Sequence, residues 1–262
     1  MVRYAPDGTA YELSGPEGAP VLALIHGLGL CWNVWDGLLP DFTGYRVLTY
    51  DLYGHGDSAP SPETASLAIY SSQLAKLMNH LGIARASVIG FSIGGMINRR
   101  FALDHGPRLD TLVILNSPHD RGAEAQALVE ARAMTVRDQG AMATLDAALK
   151  RWFTPEYLAT GVGLDLVRNW RARVDPESYA QAAWVLANGV RELIRPDPAV
   201  TAPTLVMTCE NDSGSTPAMC LAIAAGVVGA EAMIVPRLQH LGLMEQPQAF
   251  TRPILDFLER TF

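Results

Sequence analysis

The stretch "GFSIGG", residues 90–95, follows the apolar run "SVI" and places Ser92 between bulky Phe91 and Ile93, with Gly90 and Gly94 two positions to either side. A buried strand has no use for a hydroxyl, so Ser92 reads as a residue held on a tight strand-to-helix turn, ahead of "IGGMINRRFA". The spacing G-x-S-x-G is that of a nucleophile elbow. Small residues on both sides let the backbone turn sharply, and the helix N-terminus favours negative charge beside the exposed hydroxyl. Such a hydroxyl is a weak nucleophile without a base, and the chain has six histidines. His26 and His55 lie in the glycine loops "HGLG" and "GHGDS", where structural roles are common. His80 and His105 close helices and read as surface or capping residues. His119 follows a strand, where it could face a pocket. His240, in "LQHLGLMEQP", lies after the last strand and before the last helix, where a base can reach across to Ser92.

These residues need a scaffold, and the apolar runs supply it. "VLALI" (21–25), "RVLTY" (46–50), "ASVIGF" (86–91), "TLVILN" (111–116), "TLVMTC" (204–209) and "AMIVP" (232–236) are nearly continuous in Val, Ile and Leu. Strands covered on both faces look like this, as in a parallel sheet between helices. "RYAPDGTAYEL" reads as a hairpin turning at Asp7-Gly8. Leu67, Tyr70, Leu74, Leu77 and Leu81 recur at helical spacing within 64–82, as do Phe250, Ile254, Phe257 and Leu258 after Pro247. Strand and helix alternate, so the class is α/β with a mostly parallel sheet. The rhythm breaks from 120 to 198, where three or four helices are expected. Met142, Leu145, Leu149 and Trp152 mark one apolar face, and "PEYLA", "LDLVRNW" and "PESYAQAAWVLANGV" supply others. An insertion between core strands suggests a cap over the sheet edge where open α/β sheets bind ligands.

The remaining partner for His240 is a carboxylate after the penultimate long strand. "TLVMTCENDSGSTP" offers Asp212 and, as the alternative, Glu210. The order Ser92, Asp212, His240 is the chain order of α/β-hydrolases. Taken together, "IHGLG", "YDLYGHGDS", "GFSIGG", "CEND" and H-x-x-x-x-E-x-P resemble the α/β-hydrolase superfamily over essentially the whole chain. The resemblance implies a mostly parallel eight-stranded sheet flanked by helices, with core segments 1–119 and 199–262 and a helical cap at 120–198. It further implies a serine hydrolase that cleaves a small carboxylic ester or enol-lactone through a Ser92-His240-Asp212 triad and an acyl-enzyme. The backbone N–H groups of Leu28 and Ile93 would form its oxyanion hole. Ser92 stands where haloalkane dehalogenases and epoxide hydrolases of this fold use aspartate. The segment "VRDQGAMATLDAALKRWFTPEYLA" (136–159) is similar to the cap of 3-oxoadipate enol-lactonases. That similarity implies a small acidic substrate and offers Arg132, Arg137 and Arg151 as carboxylate partners, against the simpler role of solvated helix faces. Of Trp152, Trp170 and Trp184, one is expected to line the pocket, Trp152 being the candidate, and the others to pack within the cap. Two alternatives stay open: a meta-cleavage-type carbon–carbon hydrolase, disfavoured because Leu241 follows His240 where those enzymes usually carry Trp, and a small-molecule receptor that retains the triad.

Composition narrows the partners. The formal charge is −7, from 20 basic and 27 acidic residues, and the basic ones are scattered, which argues against nucleic acid. No basic amphipathic stretch suggests a membrane surface. "PAMCLAIAAGVVGA" (217–230) is too short to span a bilayer and reads as a buried helix. The N-terminal "MVRYAPDGTAYELSG" lacks the apolar core of a signal peptide. Cys31, Cys209 and Cys220 are odd in number and lack CxxC spacing, so a reducing, cytoplasmic setting is expected, with no zinc site and no cofactor.

Overall fold

The computed structural model describes residues 2–196 and 199–261. Eight strands form one sheet: β1 (Arg3–Tyr4), β2 (Ala10–Ser14), β3 (Val21–Ile25), β4 (Arg46–Tyr50), β5 (Ala86–Phe91), β6 (Leu109–Leu115), β7 (Thr204–Cys209) and β8 (Glu231–Val235), in the order β1-β2-β4-β3-β5-β6-β7-β8. β1 and β2 pair antiparallel, as do β2 and β4, and every other pairing is parallel. The mostly parallel α/β sheet expected from the apolar runs is therefore present.

Alternate residues of the central strands feed two cores. Ala23 and Ile25 on β3, Leu48 and Tyr50 on β4, and Leu112 and Ile114 on β6 face α1 (Leu67–His80) and α2 (Ile93–His105). Leu22 and Leu24, Ile89 and Phe91, and Val113 and Leu115 face the other way, against the turns at 32–41 and the C-terminal helix. Covering both faces explains why polar alternation is missing from these strands. β8 departs from expectation. It is an edge strand, and Glu231, Ala232 and Met233 are exposed on both of its faces, so only its C-terminal end is covered.

Between β6 and β7 the chain forms five helices rather than three or four: α3 (Gly122–Gln139), α4 (Leu145–Trp152), α5 (Pro155–Thr160), α6 (Leu164–Ala172) and α7 (Pro176–Asn188). Gly161 and Gly163, with φ of 69° and 76°, break α5 from α6 at a point where no apolar period signals an end. Thr154-Pro155 and Asp175-Pro176 each supply a side-chain N-cap followed by proline at the first helical position. Met142 departs from its expected place. It is exposed in a 3₁₀ turn before α4, while Leu145 and Leu149 are buried. The expected end of the insertion, residues 197–198, lies outside the described residues. The remaining helices are α8 (Pro217–Ala225), α9 (Gly242–Glu245) and α10 (Gln248–Thr261). α8 stops at Gly226, so the apolar run to 230 is only half helical and Val228 is 97% exposed. No helix among the described residues is long and apolar enough to cross a membrane.

Candidate active site

Ser92 sits between β5 and α2 with φ 58° and ψ −116°, a conformation costly for any residue with a side chain. Its neighbours explain how the chain tolerates it. A Cβ on Gly90 would meet the Gly94 carbonyl oxygen at 2.1 Å, and one on Gly94 would meet the Ile25 carbonyl oxygen at 2.2 Å. Only glycine allows these approaches. The Ser92 hydroxyl makes no capping bond to its own helix, which leaves it free for His240.

The loops after β7 and β8 complete the line. Ser92 Oγ lies 3.1 Å from His240 Nε2, and His240 Nδ1 lies 2.7 Å from Asp212 Oδ2. An ionised carboxylate only accepts, so Nδ1 carries the proton and Nε2 is the acceptor for the Ser92 hydroxyl. Asp212 is buried, and burial alone pushes its carboxyl up. The opposing charge and hydrogen bond of His240, with further donors, outweigh burial and hold it below the usual carboxylate value. Those donors are Asn116 Nδ2 at 2.9 Å and the backbone N–H groups of Gly214 at 2.8 Å and Ser215 at 2.9 Å. Glu210 lies elsewhere: it is exposed and accepts the Arg237 N–H at 2.7 Å.

Ser92, His240, Gly27 and Leu28 open onto a cavity of about 150 Å³. The Leu28 N–H has no partner among the described residues. Ile93, the first residue of α2, has no carbonyl one helical turn before it to bond. Both donors are thus free beside Ser92.

The sequence profile of the α/β hydrolase fold family matches residues 20–154. The chain belongs to that family. It is 27% identical over 253 residues to 3-oxoadipate enol-lactonase 2 of Acinetobacter baylyi, covering 95% of this chain and 92% of that protein. It is 25% identical over 256 residues to (E)-2-((N-methylformamido)methylene)succinate hydrolase of the same organism, covering 97% and 95%. The crystal structure of the enol-lactonase from Burkholderia xenovorans LB400 superposes with a TM-score of 0.89 at 29% identity, covering 98% of this chain and 100% of that one.

In this α/β-hydrolase-fold protein the far wall of the cavity is arginine-rich. Arg132 and Arg151 line it, as does Trp152, whose ring centroid is 6.0 Å from that of His240. Arg137 and His119 do not line it. Arg132 and Arg137 are both exposed, but Arg132 stands with Val129, Ala133 and Val136 on the cavity-facing side of α3 and Arg137 does not. His119 is half-buried near Arg99, and burial and that guanidinium both push its imidazole down. Trp170 packs in the core and Trp184 is exposed, so Trp152 alone of the three lines the cavity.

Two further arginines, Arg121 and Arg171, were not singled out by sequence. Arg121 donates to the Leu186 and Ala187 carbonyls, and burial pushes it down to about 10, with Arg132 adding to the effect. Arg171 is 2% exposed, with its guanidinium carbon 4.6 Å from the Tyr179 ring centroid and 5.4 Å from that of Trp152. Asn116 was also missed, although a polar residue ending the apolar strand "TLVIL" is a visible signal.

His26 and His55 are structural. The His26 Nδ1–H donates to Gly27 O at 2.8 Å, and Nε2 accepts the Leu52 N–H at 3.0 Å. Burial depresses His26 to about 3 and His55 to about 4. Asp51, buried beneath the same loops, accepts the Trp32 and Asp57 N–H groups, and burial raises it to about 6. Among the described residues no cluster of His, Cys, Asp and Glu is arranged to hold a metal.

Proposed function

We propose that this hydrolase-fold protein is a serine hydrolase that cleaves a small carboxylic ester or enol-lactone through an acyl-enzyme. The observation that carries the reading is the unbroken line from Asp212 through His240 to Ser92, at 2.7 and 3.1 Å. Ser92 Oγ would attack the acyl carbon as its proton passes to His240 Nε2. Asp212 would hold the Nδ1–H and stabilise the imidazolium without taking the proton. The N–H groups of Leu28 and Ile93 would donate to the oxygen on which charge builds, each contributing about 3–4 kcal/mol in comparable sites. His240 would then protonate the departing alkoxide, or the enol end of an opened lactone, and later deprotonate the water that releases the acid.

A cavity of about 150 Å³ fits a small substrate; an engineered cavity of about that size holds benzene. Its arginines support a substrate bearing a carboxylate, and the enol-lactonase relatives support the lactone or ester class. The helices of 120–198 act in this reading as the cap that closes over it. The test is a stopped-flow burst with p-nitrophenyl acetate, together with peptide mass analysis. A burst of one equivalent and an acetyl group on the Ser92 peptide are expected. Steady turnover without acylation of Ser92, retained in Ser92→Ala, overturns the reading. A panel including dienoic diketo-acids checks against carbon–carbon cleavage.

A further inference from the structure

Arg168, Arg171 and Arg173 lie within six residues of one another. Arg168 pairs with Asp146 at 2.8 Å, and Arg173 pairs with Asp57. Arg168 is half-buried and Arg173 exposed, while Arg171, the buried one, has no carboxylate among the described residues. Its hydrogen bonding is poor: Nη1 reaches the Ala141 carbonyl at 3.3 Å, and the buried Nε–H has no acceptor. The rings of Tyr179 and Trp152 hold it in place, and it presses on the loop after β3. A Cβ on Gly29 would lie 2.1 Å from Arg171 Nε. Arg171 is thereby fixed against the loop of Leu28 and Gly29, where it lines the cavity.

Arg132 and Arg151 form a second cationic place. Arg132, which is exposed, spends its Nε–H on the Leu128 carbonyl at 3.2 Å and has both Nη groups unpaired among the described residues, and the half-buried side chain of Arg151 donates to nothing among them. Burial holds both below the ordinary arginine range, and the charge of Arg132 adds to the effect at Arg151, so the two are near enough to repel. The acidic side chain on the wall, Asp212, already accepts four hydrogen bonds. A desolvated cation without a partner is costly, and that cost falls on buried Arg171 and, in part, on half-buried Arg151. A single carboxylate relieves one place and leaves the other unmatched.

We propose that the site takes a small dianion with two carboxylates, one on Arg171 beside the loop of Leu28 and Gly29, the other shared by Arg132 and Arg151. This rests on reading the cavity as the substrate site. A planar guanidinium offers paired N–H groups that match a carboxylate's two oxygens, and the two places set the substrate's orientation over Ser92.

The experiment has two arms. In the first, calorimetry measures succinate against butyrate, equal in carbon number, on the Ser92→Ala protein. Succinate should bind about thirtyfold or more tighter, the fold-change of one desolvated charge pair. Arg171→Met and the double change Arg132→Gln with Arg151→Gln should each bring that ratio close to one. Arg171→Lys keeps a charge but not the fork and should recover only part of it, and thermal unfolding checks that each variant is folded. In the second arm, the wild type is assayed on esters carrying no, one and two carboxylates, and kcat/KM should rise along the series. Equal binding of succinate and butyrate by the parent protein, or a preference that survives both sets of changes, overturns the proposal. A succinate preference in a protein that hydrolyses no ester leaves this inference standing and sinks the hydrolase reading. Ester turnover at Ser92 with no preference among the charges does the reverse.

Discussion

The two walls of the cavity are built on opposite terms. The wall made by the loops after β5, β7 and β8 is complete in itself, with four donors on Asp212, one tautomer enforced on His240 and a hydroxyl turned outward by the elbow. The wall made by α3, α4 and α6 is unfinished, with guanidinium groups of Arg132, Arg151 and Arg171 that no side chain among the described residues neutralises. A preorganised wall serves whatever acyl group is brought to it, because its hydrogen bonds need no rearrangement. An unfinished wall is completed only by the right molecule, so selectivity resides there. The surrounding packing follows the same division. The central strands are sealed, whereas Leu128, Met134, Met142, Val162, Leu166 and Trp184 in the inserted segment are exposed.

The sharpest break of the finished wall is Ser92→Ala or His240→Ala, each expected to lower kcat for p-nitrophenyl acetate about 10⁶-fold, with the double variant no worse. Retention of more than about a hundredth of the rate by pure Ser92→Ala protein contradicts the assignment of the nucleophile. Asp212→Asn should cost about 10⁴ through loss of the Nδ1–H tautomer, while Glu210→Gln, exposed and bonded to Arg237, should change kcat little. The reverse order would move the acid to Glu210. Asn116→Ala removes one donor to an ionised carboxylate, a bond of about 1.5–3 kcal/mol, and should lower kcat roughly ten- to a hundredfold.

On the unfinished wall, Arg132→Ala or Arg151→Ala should lower the ratio of kcat/KM for a carboxylate-bearing lactone to that for a neutral ester about thirtyfold. Arg137→Ala should move that ratio by no more than about twofold, as a surface change does. An effect at Arg137 equal to that at Arg132 would erase the contrast between the cavity-facing and solvent faces of α3.

The smallest expected effect is the acid sensitivity of the loops after β3 and β4, which hold the two buried imidazoles. His26 and His55 have folded values of about 3 and about 4, below the ordinary 6.5. As pH falls below about 6.5 the unfolded chain takes up protons there that the folded chain refuses, so stability falls. Asp51 runs the other way: its folded value of about 6 favours the folded state as pH drops through it. Two groups outweigh one, for a net loss of about 1.4 kcal/mol per pH unit at most. Tm should therefore fall by several degrees between about pH 6.5 and about pH 4.5. A Tm that is flat or rises towards acid would mean that the two imidazoles are not held neutral.

Most of the fold was legible in the sequence because doubly covered strands and glycine-flanked turns leave strong local marks. β3, β4, β5 and β7 begin and end where the apolar runs do. The elbow, the acid loop and the histidine loop were legible because each pairs a reactive side chain with a strand end. The arginine wall was not. Hydrophobic periodicity reports which side of a helix meets the protein's own core, and a side that meets a charged ligand breaks that period. On α3 only Ala133 and Val136 are buried, and no apolar stripe separates Arg132 from Arg137. Arg171 stands among arginines that look alike in sequence, and only the approach of Tyr179, Trp152 and Gly29 distinguishes it.

The histidine loop and the joint between α4 and α5 of the inserted helices are held together by three bonds. The Leu241 N–H donates to the Trp152 carbonyl at 2.8 Å, and the Glu245 carboxylate accepts from the Thr154 N–H at 2.9 Å and the Thr154 hydroxyl at 2.6 Å. The joint between α4 and α5 is thus bolted to the loop that carries His240. For lineage and for engineering alike, the insertion is not an interchangeable module: exchanging the helices of one hydrolase for those of another without residues 238–246 would unmoor the imidazole. The two stretches are expected to be inherited, and best transplanted, as a single cassette.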